Sequence, residues 1–457
     1  MTNVITEVSK YLMLIIMVIY TFFNFIAIGV RTEKRKKSLC AKQLFMVFLL
    51  LTLGYLIIIL RKEDYTIAIF FAVQFVFYLA YYRLFIRFYR RASRLIISNS
   101  ILLFGFGVMF LTRLDYTRAI TQFSIGAAAF AVSMLIPVII KKLPVLAKWA
   151  WLYAIVGIGL LAVVWRLGST TYGAQLTLSL GPVAIQPSEL VKISFVFFSA
   201  SMFAKSRSFK QVFLTAIVAA VHVLILVAST DLGSGLVYFV SFLFMIFVAT
   251  HKPGFFAAGI GAGAAAAVGA YAVFDHVRIR VKMWLDPFSD YENKGYQLAQ
   301  SMFAISSGGW FGLGLCKGYP NSIPLARNDF IFSAIIEELG IIFACCLLLI
   351  YLGFLIQLFR VSTRIDGMFY QIIGVGLASM IGIQVFLHVG GVTRMIPSTG
   401  ITLPLVSYGG SSVLSTMITI GVIQGLNIIS DGMTAKQRAG AQEKELEAEA
   451  GGELIEQ

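Results

Sequence analysis

Charged residues are scarce in this sequence of 457 residues. Lys, Arg, Asp and Glu together make up 13% of the chain, whereas 59% of the residues are hydrophobic. So little charge excludes a soluble domain, because a chain this apolar would aggregate in water. The hydrophobic residues instead form uncharged runs that are long enough to cross the roughly 30 Å hydrocarbon core of a bilayer as helices.

Cysteine is also rare, with four residues in the whole chain. Cys40, Cys316, Cys345 and Cys346 are scattered, and the adjacent pair falls inside an apolar run. This spacing matches neither a zinc site nor a redox motif, so we predict no structural disulfide and no metal knuckle.

The chain carries a formal net charge of +15. A basic chain can bind nucleic acid, but here the Lys and Arg residues lie in short loops between apolar runs. In that position they set membrane topology and meet anionic lipid headgroups. We therefore predict a membrane protein that does not bind nucleic acid.

The apolar runs predict an all-α polytopic membrane protein with about thirteen transmembrane helices. The first run is too long for a signal-peptide core and has no small-residue cleavage pattern after it, so we expect it to remain as a span in a chain starting near Met1. The predicted spans are residues 11–30, 43–60, 65–85, 96–113, 121–140, 149–166, 187–204, 211–228, 232–250, 255–274, 329–357, 367–389 and 402–428.

The basic loops predict the orientation of these spans, because Lys and Arg are enriched on the cytoplasmic side. With alternating spans, five basic segments fall on one side: residues 31–42, 83–94, 141–148, 205–210 and 360–364. This pattern places the N-terminus outside and the C-terminus in the cytoplasm. Two long polar connections, residues 167–186 and 275–328, then face outward, and we expect the function there.

Three segments are predicted along the chain. Residues 1–94 form an N-terminal extension of three helices, residues 95–430 a ten-helix core, and residues 431–457 a charged cytoplasmic tail rich in Glu, Ala, Lys and Gln. No internal repeat is evident, which argues against a transporter built from inverted halves.

Ionisable residues beside apolar runs are candidates for function, because a charge in a membrane is costly. Glu189 and Lys192 share a helix face just after Pro187, and Asp231 begins the span at 232–250. They are candidates for substrate binding in an outer cavity. The alternatives are an ion pair that only orients a span and an aspartate favoured by the helix dipole.

The long outer connection combines Arg278, Arg280, Asp286 and Asp290 with aromatic residues. Two guanidinium groups can hold a pyrophosphate, and a nearby carboxylate can accept a proton from a hydroxyl. This chemistry suits transfer of a sugar from a lipid diphosphate. Anchoring to lipid headgroups is the alternative for the arginines, and Asp286 before Pro287 is typical of a turn.

Further candidates follow at the next span and near the last one. Asp329 precedes an apolar run that contains Glu337 and Glu338, although helix capping would also explain Asp329. Near the end, glycines and prolines between residues 390 and 412 predict a re-entrant or broken helix lining a cavity. Ser407 and Tyr408 lie in that segment.

Together these segments resemble the SEDS family, the shape, elongation, division and sporulation proteins typified by RodA, FtsW and SpoVE, and RodA-type members in particular. The ordered motifs that carry the resemblance are Gly173-Ala174-Gln175, Gln186-Pro187-Ser188-Glu189-Leu190 with Lys192, Asp231-Leu232-Gly233, Leu285-Asp286-Pro287 with Asp290 and Gly295-Tyr296-Gln297, Asp329-Phe330-Ile331-Phe332 with Glu337-Glu338, and Pro404 to Ser412.

The resemblance implies a peptidoglycan glycosyltransferase in the cytoplasmic membrane of a bacterium. It would polymerise lipid II at the outer face, together with a class B penicillin-binding transpeptidase. The family's essential aspartate falls at Asp290, as general base. Substrate binding is expected of Arg278, Arg280, Glu189, Lys192, Asp231, Asp329, Glu337, Ser407 and Tyr408. No cofactor is certain, but Mg²⁺ or Mn²⁺ assisting the departing diphosphate is chemically reasonable.

The sequence departs from the family pattern at several positions, which puts donor recognition in question. Leu176-Thr177 replaces Arg-Trp, Arg327-Asn328 replaces His-Thr, and His388 replaces an Asn. Two alternatives to the enzyme stay open: a flippase for lipid-linked precursors, and a non-catalytic scaffold for a transpeptidase. Elongation, division and sporulation are also not distinguished.

Overall fold

A computed structural model describes residues 2–30, 32–140, 143–171, 174–180 and 183–430, so the predicted tail at 431–457 lies outside the described residues. Helices account for most of what is described. Their bounds are α1 Thr2–Gly29, α2 Glu33–Lys62, α3 Thr66–Phe88, α4 Arg94–Leu114, α5 Tyr116–Ile140, α6 Leu143–Leu146, α7 Ala150–Leu167, α8 Pro187–Lys205, α9 Phe209–Ala228, α10 Leu232–Thr250, α11 Pro253–Val273, α12 Asp275–Leu285, α13 Tyr296–Gly308, α14 Ile331–Arg364, α15 Met368–Val392 and α16 Gly410–Ser430.

The predicted number of spans is confirmed within the described residues. Twelve helices are long and apolar enough to cross a membrane. The thirteenth is α8, which carries Glu189 and Lys192, is 19 residues long and packs against α7, α10 and α15 in the same bundle. The multi-pass, all-α class of the membrane part therefore follows from the length and polarity of the apolar runs.

The two long outer connections contain secondary structure that the sequence analysis does not predict. The first holds a three-stranded antiparallel sheet of β1 Ser169–Thr171, β2 Ala174–Leu180 and β3 Val183–Ile185. The second holds α12, a 3-10 turn at Pro287–Asp290, α13 and a second 3-10 turn at Pro320–Ser322. Gly173 of the first family motif lies outside the described residues.

Helix α14 is interrupted at Gly340, which has a φ of +85°. The backbone groups freed by the break bond to the segment after α13: Leu313 N–H donates to Glu337 O over 2.9 Å, and Ile341 N–H donates to Gly309 O over 3.0 Å. A Cβ at Gly340 would lie 2.4 Å from Trp310 O, so only glycine fits. Irregular backbone at membrane depth is tolerated because protein groups satisfy it.

The N-terminal extension is part of the same bundle. Helix α1 packs along α14, and α2 packs along α4. Hydrogen bonds also join α1 to α4: Tyr20 donates to Asn99 Oδ1 over 2.7 Å, and Asn99 Nδ2 donates to Asn24 Oδ1 over 3.0 Å. As a result, the whole apolar window of α4 is buried inside the protein.

The contacts sort the connections into two faces. Lys317, after α13, forms an ion pair with Glu7 at the start of α1, so the N-terminus and the long outer connection share one face. At the other end, Asn427 Nδ2 donates to Arg91 O, which places the end of α16 beside the basic turn after α3. This arrangement agrees with alternating spans, and which face meets the cytoplasm stays a prediction.

Candidate outer-face site

Glu189 and Lys192 form a buried ion pair at the start of α8. Lys192 Nζ lies 2.6 Å from Glu189 Oε2, and the side chains are 6% and 7% exposed. Gln384 of α15 accepts a hydrogen bond from Lys192 over 3.0 Å, and Ser415 of α16 donates to Glu189 over 2.8 Å. The pair therefore joins three helices and carries no free charge toward the outer connections.

Asp231 connects the starts of α8 and α10. It is the N-cap of α10, where its carboxylate accepts from Ser234 N–H over 3.0 Å, and it also accepts from Ser188 Oγ over 3.2 Å. Tyr238 donates to Ser188 O over 2.7 Å. Capping, the simpler explanation of Asp231, is thus present together with a contact between helices.

Arg280 and Asp329 meet at the irregular segment between α15 and α16. Arg280 donates to Ser398 O over 3.0 Å. The carboxylate of Asp329 lies beside Gly400, and both Asp231 and Asp329 lie close enough to interact electrostatically with Arg280. The structure therefore brings three predicted residues near one another, and Arg280 ties α12 to the segment between α15 and α16.

Burial raises the pKa of Asp329 to about 6 from an ordinary value of 3.8, although Arg280 acts in the opposite direction. The folded state binds this proton more tightly than the unfolded state, so the stability it provides is complete below about pH 4 and is lost as pH rises through about 6.

We expect Asp329→Asn to flatten the melting-temperature profile between pH 4 and 6 and to unfold at a higher temperature than the parent at pH 7.5. Thermal unfolding in detergent across pH checks this, with exposed Asp366→Asn as control. A melting-temperature profile of Asp329→Asn that runs parallel to that of the parent would exclude the raised pKa of Asp329.

Arg278 and Arg280 point to different surroundings because residues i and i+2 lie on nearly opposite faces of a helix. Arg278 is exposed and pairs with Asp275 over 3.3 Å. One turn later on its face lies Lys282. The two cations line an open cleft of about 450 Å³ together with Tyr271, Ile279, Val281, Leu285, Asp286 and Ser289.

Asp290 ends the 3-10 turn that follows this cleft. The turn is started by Asp286, which accepts from Phe288 N–H over 3.0 Å, as expected of turn chemistry. Asp290 is partly exposed and accepts from Asn293 Nδ2 over 3.1 Å. Its backbone carbonyl accepts from Gly295 N–H over 2.9 Å, which closes the turn. Asp290 itself is not among the residues that line the cleft.

Arg394, which the sequence analysis does not single out, fixes the end of α12. Its guanidinium donates to the carbonyls of Trp284 and Leu285, and Trp284 Nε1 donates back to Arg394 O over 3.0 Å. Arg394 has a φ of +59°, a strained conformation for a residue with a side chain. These hydrogen bonds position the turn that carries Asp290.

Glu337, Ser407 and Tyr408 lie in contacts between backbone segments. Glu337 accepts from Tyr319 N–H over 2.8 Å, and Ser407 Oγ donates to Asn328 O over 2.6 Å. Tyr408 accepts from Arg118 over 3.2 Å. The structure does not bring these three into the cleft, and their predicted role in substrate binding stays a prediction.

Arg327 and His388, two residues that depart from the family pattern, make contacts that connect parts of the bundle. Arg327 forms an ion pair with Asp115 over 2.5 Å, which ties the start of α14 to the connection between α4 and α5. The Nδ1 atom of His388 lies 2.7 Å from Ile401 O. Neither residue is among those that line the cleft.

The sequence analysis did not identify four contributing residues, three of which carry a signal that could have found them. Gln384 is a polar residue in the middle of an apolar span, and Ser415 follows the Gly-Gly-Ser-Ser motif of the last span. Lys282 sits four residues after Arg278, which is one helical turn. Arg394 carries no such signal, because only the fold brings it to α12.

The described residues gather no group of three His, Cys, Asp or Glu side chains that could hold a metal ion. Assistance of the departing diphosphate by Mg²⁺ or Mn²⁺ stays a prediction.

Comparison with known proteins gives one consistent family. The model of the FTSW_RODA_SPOVE cell cycle proteins matches residues 94–430, which run from α4 to the end of α16. Peptidoglycan glycosyltransferase RodA of Mycobacterium tuberculosis is 36% identical over 351 residues, covering 73% of this chain and 74% of the relative. Peptidoglycan glycosyltransferase MrdB of Escherichia coli is 31% identical over 307 residues, covering 65% and 83%.

A solved structure supports the fold. One chain of a peptidoglycan synthase complex, described as coordinating polymerization and crosslinking, has a TM-score of 0.64 and 24% identity, covering 74% of this chain and 98% of that one. At this identity the likeness shows the fold alone. The extension α1–α3 precedes the residues that the family model matches.

Proposed function

The chain belongs to the FtsW/RodA/SpoVE family of cell cycle proteins, as its motifs predict, and from this premise we propose that it is a glycosyltransferase that polymerises peptidoglycan. The donor is lipid II, an undecaprenyl-diphosphate-linked sugar, used at the outer face of the cytoplasmic membrane. The partner is a class B penicillin-binding transpeptidase. Family membership at this identity supports the activity, and the cleft before Asp290 supports its location.

The cleft and the turn together provide the two groups that glycosyl transfer needs. A hydroxyl of the acceptor sugar attacks the anomeric carbon of the donor, the bond from that carbon to the diphosphate oxygen breaks, and the hydroxyl proton passes to Asp290. The leaving diphosphate takes the bonding electron pair and gains negative charge. Arg278 and Lys282 would neutralise that charge, because both line the cleft, and Arg278 would exchange its exposed partner Asp275 for the diphosphate.

The remaining residues position this machinery. Arg280 and Arg394 hold the two faces of α12 against the segment between α15 and α16, through Ser398 O and through the carbonyl groups at the end of α12. The buried Glu189–Lys192 pair fixes the helices beneath. In this proposal Lys192 orients the bundle, since its charge is already paired.

The single observation that carries the site is the pair of cations one helical turn apart in a cleft whose lining reaches Ser289, the residue before Asp290. Charge-assisted hydrogen bonds contribute on the order of 1.5–3 kcal/mol each. We therefore expect Arg278→Gln with Lys282→Gln to lower kcat/KM for lipid II by about 100-fold or more. The assay uses the purified chain with its transpeptidase and labelled lipid II, with glycan chains resolved on a gel.

The control is Arg166→Gln, which removes an exposed cation at the end of α7. Arg278→Lys is expected to keep most activity, because the positive charge remains. A double variant as active as the Arg166→Gln control would remove the diphosphate site from the cleft. Lipid II that is moved across vesicles without any polymer would favour the flippase, and no activity in either assay would favour the scaffold.

A further inference from the structure

We propose that a basic pocket at the junction of α3 and α4, on the face opposite the long outer connection, binds the phosphate headgroup of an anionic membrane phospholipid. The pocket has a volume of about 570 Å³. It is lined by Tyr82, Arg83, Ile86, Arg87, Phe88, Arg90 and Arg94. This site is separate from the glycosyltransferase cleft and does not depend on the proposed function.

The local geometry explains why four arginines meet in one place. Arg83 and Arg87 are one helical turn apart at the end of α3, Arg90 lies in the short connection, and Arg94 is the first residue of α4. The chain therefore folds back on itself around the pocket. The preference of Lys and Arg for the cytoplasmic side explains their presence on this face, but it does not require them to line a common concave surface.

The charge of the basic pocket is not neutralised by the described part of the chain. None of the ion pairs between described residues includes Arg83, Arg87, Arg90 or Arg94. The nearest polar partner is Tyr82, which interacts with Arg94 through a side-chain hydrogen bond. Guanidinium groups match the oxygens of a phosphate diester, so an anion of this kind fits the lining.

The surroundings favour a lipid over a free anion. Along α3, exposed apolar side chains run toward the pocket, including Ile69, Val73, Leu84 and Phe88. Phe88 is 67% exposed and also lines the basic pocket. Acyl chains can lie along this stripe while the headgroup meets the arginines, as basic pockets between membrane helices do with acidic lipids.

A lipid bound here connects α3 of the N-terminal extension to α4, the buried helix at the centre of the bundle. The base of the junction is already tied to the core, since Ser93 N–H donates to Gln424 Oε1 over 2.9 Å. The headgroup would add a contact across α3, the connection and α4. The proposed lipid site therefore gives α3, which lies outside the residues that the family model matches, a role that depends on the membrane.

The experiment is native mass spectrometry of the full chain in detergent, titrated with palmitoyl-oleoyl phosphatidylglycerol or with the matching phosphatidylcholine. Near a membrane each basic residue contributes on the order of fivefold to binding of acidic lipid. We expect Arg87→Gln with Arg90→Gln to weaken phosphatidylglycerol binding by about 25-fold. Arg207→Gln with Lys210→Gln, which removes one exposed cation from the connection between α8 and α9 and one from the first turn of α9, should bind as the parent does.

Equal binding by the two double variants would overturn the proposal, as would a parent that binds phosphatidylcholine equally well. Displacement of the lipid by millimolar inorganic phosphate would assign the pocket to a free anion instead. Because charge removal can disturb insertion, a photoactivatable phosphatidylglycerol is also crosslinked to the unmodified parent. Crosslinks at residues 82–94 are expected, and crosslinks confined to other segments would exclude the site.

Discussion

Asp290→Asn is expected to abolish polymerisation of lipid II while the protein remains folded and bound to its transpeptidase. The substitution keeps the shape of the side chain and its contact with Asn293, but an amide cannot accept the acceptor's proton. General-base catalysis contributes roughly 10²–10⁴-fold, so residual polymer should fall by at least about 100-fold. The measurement is the rate of glycan formation by the purified complex, with melting temperature recorded in parallel.

The matched control for this prediction is Glu292→Gln, two residues further along the same loop. Glu292 is also exposed, and the substitution removes the same charge in the same way. If only the Asp290 variant is inactive, the effect comes from the position of one carboxylate. If both variants polymerise at the parental rate, Asp290 loses its assignment as the base.

Among the variants proposed, Lys192→Met is expected to lower the stability of the folded protein most. It would leave Glu189 with its charge buried among α8, α15 and α16 and without the cation that now lies 2.6 Å away. Breaking a buried ion pair on one side costs about 3–5 kcal/mol. Thermal unfolding followed by fluorescence-detected size exclusion should show a melting temperature lower by several degrees, on the order of 5–10 °C.

A double variant separates the ion pair from general packing. With Glu189→Gln added to Lys192→Met, no unpaired charge remains, and most of the lost stability should return. Lys205→Met in the exposed last turn of α8 serves as the control for loss of a lysine from the same helix. A double variant as unstable as Lys192→Met alone would mean that the lysine stabilises the bundle by packing and not by its charge.

The sequence could predict the helices because their signal is local. An apolar run of about 20 residues must become a membrane helix, since its backbone groups have no other partner in lipid. Glycines and prolines predict a break within residues 390–412, and the chain there is irregular between the end of α15 and the start of α16. The sequence does not predict a second break, in α14, where Gly340 meets Trp310 and Gly312 of another segment. A single glycine in an apolar run does not by itself predict an interrupted helix.

The site was predictable in its residue types and only partly in its arrangement. Arg278 and Arg280 were expected to act together, but α12 separates them, one toward the cleft and one toward Asp329. Their spacing of two residues decides this only once the segment is known to be helical. Lys282, a partner of Arg278 in the cleft, follows from the same helix.

The sequence by itself determined the membrane class, the number of spans and the family, because each is encoded in consecutive residues: apolar length, or motifs in a fixed order. The assignment of Asp290 as the base, which the family resemblance implies, stays a prediction. The tertiary structure decided which distant groups surround these charges. Arg280 donates to Ser398 O across 118 positions, and Gln384 and Ser415 of two later helices complete the surroundings of the Glu189–Lys192 pair. These contacts join residues more than a hundred positions apart, so no local pattern specifies them.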